Sequence, residues 1–102
     1  MADGGVTRYR VLGWRGIPAQ VKAEQDGMPA ASVQLHPWFT DHIDQVAMRD
    51  GLYGSDDYLA QWDWSEYRER DGPPAEVARA VADELEAEWA SRREAAERGE
   101  EI

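Results

Sequence analysis

Pro37 and Gly51 bracket one stretch of this chain so firmly that its neighbours read as parts folded against it. Proline is tolerated at the start of a helix, where its missing N–H would have no partner anyway, and glycine enters the left-handed conformation that ends one. The spacing predicts a helix over residues Pro37–Asp50, with His36 as its flanking residue. Phe39, Ile43, Val46 and Ala47 recur at helical spacing and form one apolar stripe. Asp44 and Met48, four apart, sit off that stripe and make a second small face. Methionine in such a place ordinarily fills space beneath a neighbouring segment.

A helix with one apolar stripe needs a second layer to cover it, and alternating segments on either side supply one. Tyr9 and Val11 alternate with Arg8 and Arg10, so Thr7–Trp14 reads as a half-buried strand. Arg15-Gly16-Ile17-Pro18 breaks it, Ala19–Gln25 alternates again, and Asp26-Gly27 is a turn. Ala31–Leu35 gives a third strand leading to His36. Beyond Gly51, Ser55 is the N-cap of a short helix over Asp56–Gln61, and a final strand runs near Trp62–Glu69. Asp71-Gly72-Pro73-Pro74 is a firm break. Val77, Val81, Leu85 and Trp89 then recur every four residues in a last helix from Pro74 or Ala75 to at least Trp89. Past Ser91, Glu88–Arg92 and Glu94–Arg98 pairs favour helix, but little is left to bury and the end should fray. The expected fold is α+β: a three- to four-stranded, mainly antiparallel sheet, two amphipathic helices on one face and a short extra helix. Residues 1–6 are expected to be a loose tail, 7–90 one domain, and 91–102 a charged helix end.

Charge and cysteine content remove several classes of function. A net charge of -10 disfavours a nucleic-acid backbone or an anionic membrane surface as partner. Much of the acid lies in the last helix and tail, where a solvated face explains it. With no cysteine, disulfides, thiolate chemistry and cysteine-bound metals are excluded. The N-terminus has no basic region followed by an apolar core, and no stretch approaches the roughly 20 apolar residues that span a bilayer. A cytoplasmic protein is expected.

Laid out in this way, the chain resembles a family of small bacterial proteins, the virulence factor domain. The matching pieces are Tyr9-Arg10-Val11-Leu12-Gly13-Trp14, Ile17-Pro18-Ala19-Gln20-Val21, Phe39, Ile43-Asp44, Ala47-Met48-Arg49 and Gly51. They continue with Asp57-Tyr58-Leu59, Trp62 and the acidic closing helix, and cover roughly residues 7 to 90. His36-Pro37 stands where the family pattern has a serine and a polar residue, and Asp63-Trp64 where a basic pair is commoner. The resemblance implies the fold and supplies no reaction, with an association to one-carbon metabolism.

The residues themselves assemble no reaction either. His36 and His42 are six apart, on different sides of a helix, whereas helical metal pairs stand three or four apart. Asp41 and Asp44 have that spacing, but two aspartates on a helix face are ordinarily solvated. His36 reads as a helix-entry residue and His42 as a surface group. Ser32, Ser55, Ser65 and Ser91 lie in no nucleophile pattern, and Gly13-Trp14-Arg15-Gly16 is too short for a phosphate cradle. No catalytic residue, metal or cofactor is expected.

Five tryptophans exceed the needs of so small a core, and tryptophan suits half-buried interface anchors. Trp62 and Trp89 read as core, while Trp38 lies off the helix stripe and Trp64 stands among charges. The expected function is a non-enzymatic module docking on a protein partner through Trp38, Asp44, Met48, Arg49, Tyr58 and Trp64, with self-association left open. The alternative is a small enzyme or ligand-binding domain with a pocket beside Asp44, Met48, Arg49 and Tyr58. Asp44 is expected to hold the loop after Gly51 by accepting hydrogen bonds from backbone N–H groups or an arginine, or else to face the partner.

Overall fold

In the computed structural model, residues 5–99 are described. Strand β1 (Val6–Trp14) pairs antiparallel with β2 (Ile17–Glu24), and β2 with β3 (Ala31–Gln34). Helices α1 (Trp38–Arg49) and α2 (Asp56–Ala60) follow. Strands β4 (Trp62–Trp64) and β5 (Arg68–Asp71) then both return antiparallel to β1, before α3 (Pro74–Glu88) and α4 (Ala90–Glu97). The architecture is α+β as expected, with five strands.

The fifth strand comes from splitting the expected Trp62–Glu69 strand. Ser65 is the cause: its N–H donates to Val11 O at 2.8 Å, and its Oγ accepts from Val11 N–H at 2.9 Å. This closed pair interrupts the ladder, so Trp64 pairs with Leu12 and Arg68 with Tyr9, leaving 65–67 as a link.

The first turn is also tighter than expected. Arg15 (φ 51) and Gly16 (φ 85) alone make it, both left-handed, and Ile17 and Pro18 already belong to β2. Two consecutive left-handed residues give a turn whose twist matches the flanking strands. Pro18 then fits opposite Gly13 only because the register shifts there, a bulge that spares the proline's missing N–H.

Alternation along β1 and β2 puts Tyr9, Val11, Val21 and Ala23 on one face. α3 lies on that face with Val77, Ala78, Val81 and Ala82 buried, while α1 buries Phe39, Ile43 and Ala47 in the same core. α1 begins one residue later than expected. His36 serves its entry, with Nδ1 accepting from Trp38 N–H at 3.0 Å and its own N–H donating to Glu86 of α3 at 2.9 Å. Gly51 (φ 73) ends the helix, and its N–H donates to Met48 O at 3.1 Å. α3 stops at Glu88 and α4 continues after a kink at Trp89. There Arg92 stacks over the Trp89 ring at 4.4 Å, and Arg93 and Glu97 form an ion pair along α4 at 3.6 Å. Of the expected tail, Met1–Gly4 lie outside the described residues, and Val6 already opens β1.

The core tryptophan is Trp14, fully buried, whereas Trp62 and Trp89 are half-buried and pack against the core from outside. A Cβ on Gly13 would sit 2.8 Å from Ile17 O, a backbone atom that cannot step aside. Gly13→Ala should therefore destabilise the fold by about 1–3 kcal/mol. A urea midpoint equal to that of the natural protein would show that the bulge relaxes at no cost.

Candidate functional site

α1 and α2 are tied together by one side-chain pair over a tryptophan. Trp14 Nε1–H donates to Tyr58 O at 2.8 Å, and the two rings lie 5.7 Å apart. Ser55 caps α2 by accepting from Tyr58 N–H at 3.2 Å, which fixes the backbone that receives the indole. The Tyr58 phenol then reaches back across to α1 and donates to Asp44 Oδ1 at 3.1 Å. So Asp44 holds the following segment, but its donor is a phenol and not the backbone N–H or arginine expected.

This contact leaves large apolar groups outside. Met48, one turn beyond Asp44, is 58 % exposed; Tyr53, whose ring lies 5.6 Å from Tyr58, is 56 % exposed; Leu59 is 66 % exposed. Arg49 lies 3.8 Å from Asp50, which Arg15 also holds at 2.8 Å. Tyr53 and Leu59 were not among the expected residues. The signal was available in Leu59: a five-residue helix that turns Tyr58 inward leaves the next residue facing out.

The remaining expected residues lie elsewhere. Trp38 stacks on His42 with ring centroids 4.7 Å apart, and both rings approach Trp89 at 6.2 Å, so His42 belongs to a half-buried aromatic cluster. Trp64 lies under the Arg10 guanidinium, 4.5 Å from its ring centroid, on the sheet. A groove of about 620 Å³ runs between β1 and the C-terminal half of α3, lined by Val11, Pro18 and Leu85 among others. None of Asp44, Met48, Arg49 or Tyr58 lines it. Among the described residues no group of three or more His, Asp or Glu side chains is placed to hold a metal ion, and no helix is long and apolar enough to cross a membrane.

What these elements define is a small α+β domain in which Asp44 of α1 meets Tyr58 of α2, with Met48, Tyr53 and Leu59 exposed on the same elements and the loop between them. The chain belongs to the virulence factor family, whose model matches residues 12–95. No curated protein and no solved structure matches it significantly.

Burial, and then the hydrogen bond to Asp44, hold the Tyr58 phenol above its ordinary pKa of 10.0. The neutral phenol is thus favoured in the folded state. That contribution is complete below the unfolded value, about pH 10, and is lost as pH rises through the folded one. Tyr58→Phe removes the donor and should cost about 1 kcal/mol, at the low end for a charged acceptor because the pair is partly solvated. The melting temperature should fall by roughly 4–8 °C at neutral pH. The difference from the natural protein should narrow above pH 10, and a constant difference would contradict the assignment. Asp44→Asn keeps an acceptor and should cost less.

Proposed function

We propose that this protein is a non-enzymatic accessory module, acting in the cytoplasm, that docks on a protein partner through the α1–α2 face. The observation that carries the reading is the exposure of Met48, Tyr53 and Leu59 around the Asp44–Tyr58 hydrogen bond. Three large apolar side chains around a rigid aromatic anchor have the composition of an interface centre, where burial supplies most of the affinity. Tyr58 is held on three sides by Trp14, Tyr53 and Trp62, so it is oriented before any partner arrives. Pre-ordered anchors reduce the entropy lost on association.

Electrostatics shape the partner. The net charge of -10 favours encounter with a basic surface, and the carboxylates of Asp56 and Asp57 open α2 beside Tyr58. Affinity in this reading comes from the apolar contacts, and the charges set the rate of encounter.

The natural protein and Leu59→Asp are to be immobilised in parallel and exposed to extract of the source cells at low salt. A partner retained by the natural protein and lost from the variant, with both melting alike, is the expected result. Its association rate should fall steeply with added salt. Recovery of no partner, or equal recovery by both proteins, would remove the proposal.

A further inference from the structure

The sheet face turned away from α3 carries a feature that the α1–α2 surface does not absorb. Alternation and register lay its residues out as three cross-strand rows. The first joins Glu69, Arg8 and Glu24; the second Arg10, Lys22 and Ser32; the third Trp64, Leu12, Gln20 and Gln34. All the acids of these rows stand in the first, with Arg8, which also approaches Asp26 at 3.9 Å. The middle row sets two cations directly opposite one another and holds no acid.

Like charges facing across an antiparallel pair repel, and a strand has no need of them there. Arg10 is moreover held in place. Its guanidinium lies over the Trp64 ring at 4.5 Å and the Tyr67 ring at 4.7 Å, and the Tyr67 hydroxyl crosses to donate to Glu24 at 3.3 Å. Stacking fixes the plane of the guanidinium without using its N–H donors. Its Nε is buried with no acceptor, and neither Arg10 nor Lys22 makes an ion pair. By contrast Arg15, Arg70, Arg79 and Arg93 each have a carboxylate partner. Lys22 is the one lysine of a chain with net charge -10.

The geometry points to a second interaction surface, in which the Arg10–Lys22–Ser32 row receives a carboxylate-bearing acidic segment of a protein partner. A planar, pre-oriented guanidinium beside an ammonium and a hydroxyl matches the oxygens of a carboxylate, and the flanking Gln20 and Gln34 offer neutral hydrogen-bonding groups to an extended chain. The row crosses β1, β2 and β3, which suits a segment spread over several strands. Since the chain as a whole repels anions, recognition here is short-range and set by this row. The surface is separate from the α1–α2 patch and does not rest on its use.

A fluorescein-labelled hexaglutamate peptide serves as probe, with binding read by anisotropy and by amide shifts of the isotope-labelled protein at low salt. The expected result is shifts centred on Arg10, Lys22 and Ser32, with the Trp64 indole N–H moving as well. Lys22→Gln should weaken binding about fivefold, the scale of one exposed ion pair, and should melt no lower than the natural protein because a repulsion is relieved. Arg79→Gln makes the same change in net charge on α3 and should leave affinity unchanged. Equal weakening by both variants, shifts scattered over the surface, or tighter binding of inorganic phosphate or single-stranded DNA than of the peptide would overturn the proposal.

Discussion

The Trp14 indole N–H donating to the Tyr58 carbonyl is the contact on which the arrangement of this domain turns. Trp14 ends the central strand, is fully buried, and is the point where the sheet meets the segment after α1. An indole buried without an acceptor would lose a hydrogen bond to water with nothing in return, which penalises any fold that moves α2 away. α2 has no buried residue of its own and is too short to stand alone. Its position follows from the Ser55 cap, the Trp14 hydrogen bond and the Tyr58–Asp44 contact, all converging on one residue.

β1 is correspondingly the hub of the sheet. One edge pairs with β2 along nearly its whole length, and the other receives β4 and β5 in succession. The two joints differ in kind. The β4–β5 link closes on the Val11 backbone through Ser65, and β5 is fastened to α3 by the Arg70–Glu84 fork at 3.0 and 2.7 Å. That fork holds the Glu84 carboxyl below its ordinary value, so it favours the fold above the carboxylate range and releases it as pH falls through the lowered pKa. It sits at the surface, where ion pairs contribute little to stability.

Much of this was legible in the residues. Pro37, Gly51 and the Phe39–Ala47 stripe located α1, and the Val77–Leu85 repeat located α3, because burial of one helical face leaves a periodic trace. Ser55 announced α2 through its cap. What the sequence could not carry was the choice among tryptophans. Trp14 ends a strand, Trp62 opens one and Trp89 closes a helical repeat, and none of these local patterns says which ring is fully buried; only long-range pairing decides that Trp14 lies beneath α2 while the others cover the rim. The same holds for Asp44, whose partner lies 14 residues away on another helix. Of the six residues expected to meet a partner, Asp44, Met48 and Tyr58 gather at the α1–α2 face, with Arg49 beside Asp50. Trp38 and Trp64 belong to an aromatic cluster and to the opposite side of the sheet.

The grip of the core indole on α2 holds the α1–α2 face in place. Hydrogen exchange at the five indole N–H groups measures that grip. The Trp14 indole should exchange slowest, at a rate approaching that of global unfolding. Exchange of Trp14 as fast as that of the half-buried Trp38, Trp62, Trp64 and Trp89 would mean that α2 opens freely, and the pre-ordered Tyr58 anchor would be lost with it.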